Sequence, residues 1–125
     1  MAIHWYPGHM HKARKDMLDL LPKVDLLIEI LDARIPHSSE NPAIAHLRGD
    51  TPCIKVLSKS DLADPVVTAA WQAQFGQQRQ VATFPTRSDQ PEASKQLLGL
   101  CRAMFPQRDS GKNPIHAMVV GIPNV

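Results

Sequence analysis

The sequence predicts an α/β protein, a three-layer sandwich on a mainly parallel sheet. Three observations lead there. Apolar runs alternate with helical patterns along the chain. Two of those runs, VDLLIEIL at 24–31 and PCIKVL at 52–57, lack polar alternation, as strands covered on both faces do. Finally, 11 Pro and 6 Gly punctuate short connections between elements.

The elements follow in order. Over 8–21, Met10, Ala13, Met17, Leu18 and Leu21 trace one helical face, with Lys12, Arg14, Lys15, Asp16 and Asp19 mostly elsewhere. Pro22 stops that helix. The 24–31 run is the first strand. Asn41 can cap a short helix with Pro42 at its first position, ending at Gly49. The 52–57 run is the second strand. Asp64 before Pro65 is a helix start, filled by 66–75 and closed by Gly76. Residues 80–84 form a short third strand. Ser88 or Asp89 can cap a helix over 92–104, ended by Pro106. The last strand is IHAMVV at 115–120.

Composition narrows the function classes. A chain of 125 residues allows one compact domain. Its 43% hydrophobic and 21% charged residues argue against disorder. A net charge of +2 is too weak to announce nucleic-acid binding by itself. Cys53 and Cys101 suggest neither a disulfide framework nor a zinc module. No apolar stretch approaches the roughly 20 residues of a spanning helix, and the first residues lack a secretion signal's apolar core. The expectation is a soluble cytoplasmic protein.

In parallel sheets ligands bind beyond the carboxyl ends of the strands. Those ends read Asp32-Ala33-Arg34-Ile35-Pro36, Ser58-Lys59-Ser60-Asp61, Pro85-Thr86-Arg87-Ser88 and Gly121-Ile122-Pro123-Asn124-Val125. The second resembles the guanine-reading N-K-x-D motif of GTPases. A carboxylate accepts two hydrogen bonds from the N1-H and exocyclic amine of guanine, a donor pair adenine lacks. The Lys stem can lie along the base while its ammonium stays solvated. Ser58 replaces the motif's Asn: a hydroxyl keeps one hydrogen bond but loses the second functional group. An accidental Lys-x-Asp after a strand is the competing reading. Residues 121–125 match the first five positions of the phosphate loop G-x-x-x-x-G-K-[ST]. Its second Gly, its Lys and its Mg²⁺-holding hydroxyl would lie past residue 125.

With the base-reading motif ahead of the phosphate loop, the order is that of circularly permuted GTPases. Within that class the chain resembles the ribosome biogenesis GTPase A (YlqF/RbgA-like) family. The resemblance rests on Trp5-Tyr6-Pro7-Gly8-His9-Met10, Lys12-Ala13-Arg14, the stretch from Asp25 through Arg34 with Pro36, Ser38-Ser39 with Asn41-Pro42, and the terminal Gly-Ile-Pro-Asn-Val. It implies a P-loop GTPase-like fold, circularly permuted and C-terminally incomplete. Residues 1–23 would be an N-terminal arm and helix, and 24–125 a partial GTPase domain. The complete protein would bind and hydrolyse GTP with Mg²⁺, whose ligands lie beyond residue 125. It would act as an assembly factor on the large ribosomal subunit precursor, among ribosomal RNA and proteins.

Carried onto this chain, the resemblance gives Ser58, Lys59, Ser60 and Asp61 to guanine. It puts Thr86 and Arg87 in the loop that contacts the base carbonyl, and starts the phosphate loop with Asn124 and Val125. His9 becomes the catalytic residue, since in this family a hydrophobic residue replaces the usual water-orienting Gln. Potassium is also implied, with Asn124 as one ligand. Residues 1–125 alone, lacking the phosphate Lys and the Mg²⁺ ligand, are expected to be inactive.

Plainer readings stand beside these. His4, His9 and His11 lack a Cys or carboxylate at metal-ligand spacing and read as solvated. Asp32 and Arg34 suit a local salt bridge, with Pro36 fixing the turn, as well as catalysis. Trp5 and Tyr6 beside Lys12, Arg14 and Lys15 suit either RNA stacking or an aromatic anchor. Cys53, Cys101, Trp71 and Phe75 read as packing residues. The alternative to a GTPase is an RNA- or ribosome-binding module with a degenerate nucleotide site. A hydrolase of the nucleophile-elbow type is disfavoured, because no G-x-S-x-G occurs.

Overall fold

The computed structural model describes residues 2–7, 15, 18–36, 42–87, 92–108 and 114–121. Its strands are β1 (Ala2–Pro7), β2 (Leu26–Asp32), β3 (Cys53–Ser58), β4 (Val81–Pro85) and β5 (His116–Gly121). They form one sheet in the order β1-β5-β2-β3-β4, and every pairing is parallel. The helices with described bounds lie between them: α1 (Pro42–Leu47), α2 (Pro65–Gly76) and α3 (Ala93–Met104). The α/β reading with a parallel sheet therefore holds. Strand β1 is an addition to it, an edge strand beside β5 where the sequence suggested only an arm.

Side-chain alternation along the strands separates two faces. Leu27 of β2, Cys53 of β3 and Met118 and Val120 of β5 pack with Leu21 and with Ile44 of α1. Further along that face, Leu31 and Leu57 pack with Phe75 and Trp71 of α2. On the opposite face Leu26, Ile28, Ile54, Val56, Ala117 and Val119 meet Cys101, Leu97 and Leu100 of α3. Strands β2, β3 and β5 are covered on both sides, which is why their sequences lack polar alternation.

Element boundaries follow local chemistry. Asp64 caps α2 as expected, its Oδ1 accepting from the Val66 N–H at 2.9 Å. Residues 18–20 are helical, and Pro22 sits within a single tight 3₁₀ turn, Leu21–Lys23, that ends the segment. Helix α3 begins at Ala93, and Glu92 before it makes no side-chain capping bond. The proposed caps Asn41, Ser88 and Asp89 lie outside the described residues. Trp71 and Phe75 stack with ring centroids 5.4 Å apart, and Phe75 is buried, as packing residues should be.

At the amino-terminal ends of β2 and β5, one carboxylate joins the strands to the segment after α3. Asp25 accepts from both terminal nitrogens of Arg108 at 3.0 Å and from the His116 N–H at 3.0 Å. Burial raises its pKa, but these donors outweigh it and hold the carboxyl below its ordinary value. The carboxyl-terminal edge is left to the loops.

Candidate functional site

Because all strands run the same way, their carboxyl ends share one edge of the sheet. Register places Asp32 of β2 opposite Ser58 of β3, Ile30 of β2 opposite Gly121 of β5, and Leu57 of β3 opposite Pro85 of β4. Strands β3 and β5 thus flank β2, about 10 Å apart at ordinary strand spacing. Ser58, Asp32 and Gly121 come together there, with Thr86 one strand further out.

The turn after β3 is built from backbone strain and hydrogen bonds. Lys59 adopts a left-handed conformation, φ 59°, which costs a non-glycine residue energy and persists only where its surroundings dictate it. A 3₁₀ turn, Ser60–Leu62, follows, closed by the Leu62 N–H donating to the Lys59 carbonyl at 3.0 Å. The turn carries Asp61 at the exposed surface. The Ser58 hydroxyl donates to the Leu31 carbonyl at 2.8 Å, and the Ala33 N–H donates back to the Ser58 carbonyl at 2.8 Å. The single hydrogen bond expected of a serine at this position is thus spent on β2.

The loop after β4 is tied to the same turn. Both the N–H and the hydroxyl of Ser60 donate to the Thr86 carbonyl at 2.8 Å, and the Thr86 N–H donates to Leu57 at 2.9 Å. Both backbone groups of Thr86 are therefore engaged within the protein. Arg87 follows at the exposed surface.

Asp32 sits at the centre of the edge and is only 5% exposed. Its carboxylate accepts from the Arg34 N–H at 2.9 Å, from Nε at 3.0 Å and from Nη2 at 2.7 Å. Lys59 Nζ lies 3.8 Å from Oδ2, the oxygen that Arg34 Nη2 also reaches. The Arg34 side-chain bonds, opposed by burial and aided by the Arg34 N–H and by the charges of Arg34 and Lys59, lower its pKa to about 2. Asp32 is ionised at any physiological pH. The local salt bridge read from the sequence is present, and the approach of Lys59 is what the sequence did not disclose. Its only signal was that Asp32 and Ser58 each end a strand of similar length.

At the end of β5, Gly121 meets β2 closely: a Cβ there would lie 3.1 Å from the Ile30 carbonyl oxygen. His9, Asn124 and Val125 lie outside the described residues, as do His11 and residues 8–14, where the sequence predicts the start of a helix. Among the described residues, no group of three His, Cys, Asp or Glu side chains converges on a possible metal position. Cys53 is buried, and burial, reinforced by the nearby Glu29 charge, pushes its thiol up to about 12, so it is an inert core residue. No helix among the described residues is long and apolar enough to cross a membrane.

No protein-family model matches the chain. It is similar over its full length to curated proteins named "Ribosome biogenesis GTPase A": 39% identical to that of Bacillus pumilus, of which it covers 46%, and 36% identical to that of Bacillus cereus, of which it covers 44%. It is also 34% identical over 99% of its length to "Mitochondrial ribosome-associated GTPase 1" of Xenopus tropicalis, of which it covers 41%. The chain spans about half the length of the curated relatives it matches.

Proposed function

The chain belongs to the ribosome biogenesis GTPase A family, and from that premise we propose that it supplies the guanine-reading half of a GTPase acting in large ribosomal subunit assembly. One observation carries the reading. The Ser58-Lys59-Ser60-Asp61 turn and the end of β5 flank the end of β2 on one edge of one sheet, the arrangement a nucleotide needs if its base and phosphates are to be met by different loops. Asp61 selects guanine through its N1-H and amine, and Lys59 lies along the base. Thr86 serves as a tie between loops, so any backbone donor to the base carbonyl comes from Arg87 or later. Asn124 and Val125 open the phosphate loop, and His9 orients the attacking water, a task an imidazole suits near neutral pH.

The complete protein hydrolyses GTP in the cytoplasm and acts on a precursor of the large subunit. Mg²⁺ would neutralise phosphate charge when bound, and none of the site residues proposed here is assigned to it. Asp32 does not suit it, since three N–H donors of Arg34 already occupy its oxygens. Potassium would take Asn124 as one ligand.

Calorimetry of the full-length gene product with GTP and with ATP tests this proposal. A clear preference for GTP is expected. Equal or absent binding overturns the GTPase reading in favour of an RNA- or ribosome-binding module. Residues 1–125 by themselves should release no phosphate from GTP above background.

A further inference from the structure

We propose that Asp32 is a positioning residue for Lys59, holding its side chain at the carboxyl end of β2, between the ends of β3 and β5, where a guanine nucleotide would lie. The inference rests on the guanine-site reading above and adds to it a residue from a different strand. Three observations support it. The left-handed backbone of Lys59 is anchored on one side by the bonds of Ser60 to Thr86, so the side chain leaves the turn in a fixed direction. That direction leads to β2, with the ammonium 3.8 Å from Asp32 Oδ2 and the lysine side chain 30% exposed. The carboxylate that receives it is itself immobilised, gripped by Arg34 through backbone and side chain.

A long lysine chain otherwise carries substantial rotamer freedom. An anchored anion at its tip removes part of that freedom before a ligand arrives, which is how preorganisation raises affinity. Strand β2 lies between β3 and β5, so the ammonium is drawn toward the side on which the end of β5 stands. Asp32 would not touch the nucleotide. Its contribution passes through Lys59.

The test measures binding of a fluorescent N-methylanthraniloyl-GDP to the full-length protein, with competition by GDP and ADP. Asp32→Asn should weaken GDP about three- to fivefold, the range of a partly exposed ion pair. Lys59→Met should also weaken it, and Asp32→Asn added to Lys59→Met should weaken it no further. If Asp32→Asn unfolds the protein by thermal melt, Asp32→Glu, which retains the charge but shifts it, replaces it in the same cycle. Unchanged affinity in the Asp32 variant, or a loss that persists in full without Lys59, overturns the proposal. If the unmodified protein does not prefer GDP over ADP, the guanine-site reading itself fails, a result separable from the other two.

Discussion

Lys55 Nζ donates to Glu29 Oε1 at 2.5 Å across the β2–β3 ladder, with both side chains at most 3% exposed. The two residues are register partners on the sheet face that carries Leu27 and Leu31 on β2 and Cys53 and Leu57 on β3. The Phe75 ring of α2 lies over the ammonium, 5.0 Å from centroid to Nζ. Two charges inside an apolar face survive because each is the other's partner.

The pair gives an asymmetric mutational outcome. Glu29→Ala or Lys55→Ala should each cost about 3–5 kcal/mol in urea denaturation, since each removes the ion-pair partner of a buried charge. The double substitution Glu29→Leu with Lys55→Met should stay within about 1 kcal/mol of the original or exceed it. Equal losses in single and double variants would contradict this account.

Gly121 permits the close approach of β5 to β2. Gly121→Ala places a methyl 3.1 Å from the Ile30 carbonyl oxygen, and β2, paired on both sides, cannot move aside. A loss of about 1–3 kcal/mol in thermal or urea unfolding is expected.

Asp32 makes stability depend on acid. Its folded pKa of about 2 lies below the ordinary 3.8, so the unfolded chain binds the proton more readily. The stabilisation is complete above the ordinary value and drains away as pH falls through it toward about 2. The urea midpoint of Asp32→Asn should therefore change less steeply between those two pH values than that of the unsubstituted protein.

In the guanine site proposed above, Asp61 is the residue on which base choice would turn. Asp61→Asn exchanges one of its two acceptors for a donor and should lower GTP affinity about a hundredfold, the worth of one charge-assisted hydrogen bond. Xanthosine triphosphate, which has a carbonyl in place of the guanine amine, should lose less or gain. Calorimetry with both nucleotides reads the reversal.

Strands β2 and β3 could be read directly because burial on both faces removes polar alternation, and that property is local. Helix α2 announced itself through Asp64 and Pro65 for the same reason. What could not be read depends on neighbours distant in sequence. The AIHWYP segment of β1 has no strand pattern of its own and is held by its ladder to β5. Glu29 and Lys55 look like stray charges in apolar runs until register sets them side by side. Of the candidate site, the turn at 58–61 was visible in its residue types, whereas the meeting of Lys59 with Asp32 exists only across two strands.

The double attachment of Ser60 to the Thr86 carbonyl makes unequal demands on the two positions. What residue 86 contributes to that joint is main chain, so many different side chains can replace the threonine without loosening it. Serine at 60 is far less replaceable: alanine would forfeit half of the clasp, and a bulkier group would push apart the two turns it joins.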